Sequence, residues 1–291
     1  MIKKVLFILF CLPLFGLQAQ IQPYVDYWNY EKKIPKSKGD YLHGQQHGKW
    51  TYYYKSGKKK EELNYYNGLL NGQVINFHEN GNVASEGYFL YGTQDSIYKS
   101  FYEDAVLATQ GYYDDNKKTG TWSYYYPNGT LRKEEFYPPG KKSAKLTKSY
   151  STSGEPLVVG GNGIHKEYSL DGSVLEIIGY KNGLEHGDYI QYYPDGKTHI
   201  KGSYLEGDKH GLWISYFPDK SVKSKYEYKQ GKLDGICEEY FRPGVLNFSG
   251  NYREGKKEGD WKWNYSSGNL EMQGQFKNDQ RSGIWTYNYP N

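Results

Sequence analysis

The chain has 291 residues, with 37 Lys or Arg against 33 Asp or Glu and a formal charge of +4. That near balance excludes the basic excess of a dedicated nucleic-acid binder. Tyrosine is the outlier at 34 residues while Leu, Ile and Val are sparse, so the chain lacks the aliphatic stock for a thick globular core.

The first nineteen residues read as a secretory leader. Lys3 and Lys4 give a basic start, Val5 to Leu17 form an apolar run, and Leu17-Gln18-Ala19 ends in a small residue, so cleavage is expected after Ala19. The run is too short for a stable membrane span, and Cys11, preceded by Phe10, is no lipoprotein cysteine. Removing Lys3 and Lys4 from the 37 basic residues leaves 35 against 33 acidic. Cys237 then stands alone, so no internal disulfide forms despite an oxidising destination. The expected location is the periplasm, the outer envelope or the medium. Residues 20–40, with Tyr24, Tyr27, Trp28 and Tyr30, read as an N-terminal cap segment.

From residue 41 to 291 a 24-residue repeat takes over. Its anchor falls at Gly48, Gly72, Ser96 and Gly120, and again at Gly163, Gly187, Gly211, Gly235, Gly259 and Gly283. A second glycine follows nine residues on, as at Gly57, Gly81, Gly129, Gly172, Gly196, Gly244 and Gly268. Seventeen residues after the anchor stands an aromatic, from Tyr65 and Phe89 through Tyr204 and Tyr228 to Phe276. Each repeat predicts two short strands, such as Leu212 to Phe217, joined at Asn80-Gly81, Asn128-Gly129, Asp171-Gly172 or Asp195-Gly196, dipeptides that favour type I′ turns. No window carries a capped helical period. The predicted fold is all-β: an elongated array of stacked antiparallel hairpins forming a single-layer twisted sheet. The spacing falters between Gly120 and Gly163, which predicts an irregular join at about residues 138–162, entered through Pro138-Pro139-Gly140.

The pattern carried by His47-Gly48-Lys49-Trp50, by Asn182 to Gly187 and by Glu206 to Gly211 resembles MORN repeats, in particular a bacterial variant whose members are often named antitoxin-like. The resemblance covers most of residues 41–291. It implies an elongated hairpin array used for protein–protein or membrane-lipid contact without catalysis, and it adds an antitoxin-like inhibitor to the alternatives.

No catalytic constellation stands out. Gly140-Lys141-Lys142-Ser143 lacks the upstream glycine of a phosphate loop, and neither a G-x-S-x-G elbow nor a cysteine–histidine pair is present. His186 and His210 hold the same place in adjacent repeats, about 9–10 Å apart across two strands, too far for one ion. No catalytic, cofactor or metal site is expected, and no cofactor. Cys237 stands where sister repeats carry Trp50, Trp122, Trp213, Trp261 and Trp285, and so reads as a small apolar filler. The aromatic column at anchor plus seventeen reads as packing, whereas the tryptophan row serves packing, a partner, or both. The candidate partner-binding residues are therefore Trp213, Tyr216, Trp261, Tyr265 and Trp285. The expected function is an exported, non-catalytic binding or scaffold surface for a protein partner in the envelope. The alternatives are a membrane-lipid or glycan module and an envelope glycan hydrolase.

Overall fold

The computed structural model of the protein describes residues 20–140, 143–169 and 171–289. The expected leader, residues 1–19, lies outside them. All regular elements among the described residues are β-strands. They fall into two units, one ending at Ser96 and one beginning at Ile97.

In the first unit Gln22–Tyr27, Pro35–Leu42, Gln45–Tyr53, Lys59–Tyr66, Leu69–Phe77 and Val83–Leu90 pair antiparallel in chain order. The segment read as a cap thus supplies a paired strand, Gln22–Tyr27. The second unit runs in the same manner from Leu107–Asp114 to Gln280–Tyr287. Each strand alternates its side chains between two faces. In Asp208–Tyr216, Trp213 is buried on one face, while Leu212, 43% exposed, lies on the other.

A bulge explains the repeat length. Lys201 pairs with Ile214 and Ser203 with His210, so two steps on one strand meet four on the other. Gly211 sits in that bulge at φ 69°, a left-handed conformation that glycine adopts without a Cβ clash. Ser96 takes the same place at φ 65°. The anchor φ lies between 65° and 69° in the five tryptophan repeats, and rises to 117° and 123° at Gly72 and Gly235, where Val74 and Cys237 replace the indole.

The turns depart from expectation. At Asn80-Gly81 only the glycine has positive φ, 101°, and Gly81 N–H donates to His78 O at 2.9 Å while His78 N–H donates to Asn82 O at 2.8 Å. This is a type I turn followed by a left-handed residue. The type I′ geometry lies at the opposite end of the strands, for example at Glu206 and Gly207 with φ 55° and 91°.

Two sets of hydrogen bonds tie repeats together, the first in those repeats that carry a tyrosine at the type I turn. At the type I end Tyr193 Oη donates to Tyr216 O at 2.7 Å, and Tyr265 Oη to Asn288 O at 2.7 Å; in the first unit Tyr54 Oη donates to Phe77 O at 2.7 Å. At the type I′ end Gly207 N–H donates to Glu185 O at 2.9 Å and Gly231 N–H to Lys209 O at 3.0 Å. Within residues 138–162 the strand Pro156–Val159 is only four residues long. Across its shortened end Leu146 N–H donates directly to Gly183 O at 3.0 Å.

Candidate functional site

The aromatic face solves the problem of a sheet without a second layer. Trp50, Trp122, Trp213 and Trp261 are at most 6% exposed. Each indole lies flat against a glycine eleven residues earlier on the preceding strand: Gly39, Gly111, Gly202 and Gly250, with Gly274 serving Trp285. A Cβ on any of these glycines would overlap the ring. The indole N–H donates across the same strand, as from Trp213 Nε1 to Ser203 O at 3.1 Å and from Trp122 Nε1 to Tyr112 O at 3.0 Å. The anchor-plus-seventeen ring of the preceding repeat meets the indole edge-on, with Tyr204 and Trp213 centroids 5.0 Å apart at 85°. A cation completes the packing: Lys118, Lys209 and Lys257 stand 4.2, 4.2 and 4.6 Å from the centroids of Trp122, Trp213 and Trp261, and Arg281 stands 4.3 Å from that of Trp285.

At Cys237 and Val74 the glycine is missing together with the indole. Cys237 faces Tyr226 rather than a glycine, and Val74 faces Leu63. Tyr226 fills the space, and its hydroxyl donates to Glu239 Oε2 at 2.8 Å. Burial pushes the Cys237 thiol up to about 11, so the group is an inert filler.

The predicted partner-binding residues do not form one surface. Trp213 and Trp261 are 6% and 1% exposed, so the packing column takes nearly all of their area. Trp285 is half-buried on the same face, and its Nε1 has no partner among the described residues. Tyr265 is tied down by its bond to Asn288 O. Tyr216, three residues after Trp213 in one strand, points to the opposite face. His186 and His210 stand where Asn162 Oδ1 and Asp234 Oδ1 accept the backbone N–H twenty residues on, at 3.1 and 3.4 Å.

Tyr216 instead borders a groove of about 520 Å³ lined by Asp195, Lys197, Thr198, Lys201 and Lys220. Beside it a second groove, about 450 Å³, is bordered by Val174, Ile177, Tyr192 and Pro194. A third concavity, about 530 Å³, opens beside the shortened strands and is acidic, with Glu135, Glu185, Glu206 and Asp208 next to Tyr137 and Tyr180. Burial works against ionisation of Glu135, but Lys133 and the hydroxyls of Tyr137 and Tyr124 outweigh it and hold the carboxyl below its ordinary range. Nearby, Arg132 Nη2 donates to Glu167, whose other oxygen lies 3.5 Å from His165 Nε2. No group of three or more His, Cys, Asp or Glu that could hold a metal occurs among the described residues.

A bulged hairpin that recurs with an aromatic face and tyrosine ties defines a β-hairpin repeat protein. Six segments, residues 46–67, 70–91, 118–137, 185–206, 209–230 and 257–278, match the MORN repeat variant. The chain belongs to the MORN-repeat family. No curated protein matches it. Solved structures similar to it include a crystal structure of TcdB2-TccC3, at 12% identity and TM-score 0.19 over 91% of this chain and 18% of that one. Another is a Photorhabdus luminescens Tc holotoxin pore, at 13% identity and TM-score 0.21 over 87% and 16%. The chain spans less than a fifth of the length of either.

Proposed function

We propose that this chain is an exported, non-catalytic binding or scaffold protein of the cell envelope. The supporting observation is a division of labour. The residues that recur every 24 positions are consumed by the bulge, the indole–glycine contact and the tyrosine ties, whereas the opposite face carries residues that differ between repeats and are open to solvent, such as Leu212 and Ile236. A rigid frame with a variable exterior suits recognition. The basic leader, Lys3 to Ala19, supports export. Two measurements test the reading: fractionation of cells expressing the full chain, which should place it outside the cytoplasm, and recovery of a ligand from native envelopes by the purified protein. Retention in the cytoplasm, or an empty capture, would refute it.

The acidic concavity favours a second reading, an envelope glycan hydrolase. Against it, Glu135 is held ionised by Lys133 and so is a poor general acid. Hydrolysis of envelope polysaccharide that Glu206→Gln abolishes would favour this second reading.

A further inference from the structure

The nine-residue glycine of the repeat has a left-handed φ in its turn, for example 81° at Gly129, 79° at Gly196 and 96° at Gly268. In the repeat anchored at Gly211 that place is held by Lys220, at φ 73°. The turn itself is unchanged: Lys220 N–H donates to Phe217 O at 2.9 Å and Phe217 N–H to Ser221 O at 2.8 Å. A long side chain therefore stands, at a conformational cost, where the fold asks for none, and it pairs with no carboxylate among the described residues. What the lysine contributes is a position on the rim of the Tyr216 groove.

The groove's other charges sharpen the point. Asp195 is engaged by Lys197 at 2.9 Å, and Asp219, which does not line the groove, keeps its charge while its Oδ1 accepts from Ser221 N–H at 2.9 Å and from its hydroxyl at 2.6 Å. Lys201, exposed on the same face, has no ion-pair partner among the described residues. Two ammonium groups without an ion pair among the described residues, more than the single nearby carboxylate of Asp219, thus line a concavity that also presents Tyr216 and Thr198. One repeat away, about 9–10 Å along the sheet, the neighbouring groove offers Tyr192, Ile177 and Val174 without a lysine.

We propose that this pair of grooves binds an acidic polysaccharide, in which anionic groups meet Lys220 and Lys201 while sugar rings lie on the tyrosine and aliphatic surface. The proposal rests on the binding reading above and names its ligand class. Charge complementarity selects an anion, and the alternation of an apolar with a basic groove selects an extended polymer whose rings have apolar faces. An acidic peptide is less well matched. The strands Thr198–Leu205, Asp208–Tyr216 and Val222–Lys229 are paired on both sides, so no strand edge is open here for a peptide backbone.

The experiment uses the full chain in affinity electrophoresis and calorimetry with polygalacturonate, with neutral dextran as control. Phosphatidylglycerol vesicles and polyglutamate are the competing probes. Polygalacturonate should bind and dextran should not, with affinity falling as salt rises. The decisive variant is Lys220→Gly, which restores the residue of the sister turns. It should raise Tm by about 2 °C or more and weaken polygalacturonate binding about tenfold, the loss of one charge-assisted contact. Lys220→Arg should retain binding. Equal binding by parent and Lys220→Gly, equal retardation by dextran, or a Lys220-dependent preference for vesicles or polyglutamate would each overturn the proposal. If no polysaccharide binds while the envelope capture succeeds, the glycan assignment falls and the binding reading stands.

Discussion

Replacing Gly202 with alanine tests the packing that carries the fold. Trp213 lies against Gly202, is 6% exposed, and touches Tyr189 and Tyr204 with centroids 5.0 Å away in each case. The new Cβ would occupy space that ring carbons already fill. One escape is rotation of the indole into solvent. This gives up as much as ~150–250 Å² of buried area, or ~4–6 kcal/mol at ~25 cal/mol per Å², plus about 1 kcal/mol for the bond to Ser203 O. The other is separation of the two strands, an overpacking strain of about 1–3 kcal/mol. The cheaper route sets the result, so Gly202→Ala should cost about 2–3 kcal/mol and lower Tm by roughly 5–10 °C. The chain supplies its own control. Gly202→Tyr combined with Trp213→Cys copies the natural pair Tyr226 and Cys237, and the double variant should recover about 2 kcal/mol of what the singles lose together. Urea titration followed by circular dichroism and tryptophan fluorescence reads both effects. A Gly202→Ala protein within about 0.5 kcal/mol of the parent, or a double variant equal to the sum of its singles, would refute the reasoning.

Other consequences are open to measurement. Tyr193→Phe removes the hydroxyl bond to Tyr216 O and should cost about 1 kcal/mol in the same titration. Burial opposes ionisation of Glu167, yet hydrogen bonds from His165 and Arg132 hold its pKa at about 2, against an ordinary 4.5. That stabilisation is complete above about pH 4.5 and fades as pH falls toward 2. Glu167→Gln should therefore flatten the loss of stability over this window, a difference on the order of 3 kcal/mol at most. Cys237, fully buried with a raised pKa, should resist iodoacetamide in the native protein and react once urea unfolds it; rapid native labelling would contradict the packing.

The period, the strands and the anchor glycines were legible in the sequence because backbone geometry demands the same residue type at the same place in every repeat. The indole–glycine contact was not. Its partners, such as Gly202 and Trp213, lie in successive repeats, and a repeat alignment stacks equivalents without pairing them. The split of the predicted site was readable in part: Trp213 and Tyr216 are three residues apart, and alternation sends them to opposite faces. Burial of the indoles depended on neighbours supplied by the preceding strand, for Trp213 above all Gly202 and Tyr204. The basic groove had one sequence signal, a lysine at position 220 in a glycine column. The acidic concavity had none, because it arises where a shortened strand brings Leu146 against Gly183.

The indole–glycine contact also bears on how such an array can grow. The cavity for each indole is built by the strand before it, so the volume that must be conserved straddles the boundary between two repeats. The repeat anchored at Gly211 enters with a tryptophan and leaves with Tyr226, and only a small residue such as Cys237 can follow it. Copied and inserted ahead of a repeat that opens with tryptophan, it would set a phenol where that indole must lie. The transferable cassette is therefore offset by half a hairpin, running from one cavity-forming residue to the ring that fills it. Duplication or recombination cut at the type I′ turns would produce mismatched junctions, while cuts at the type I turns would keep each indole with the glycine it lies on.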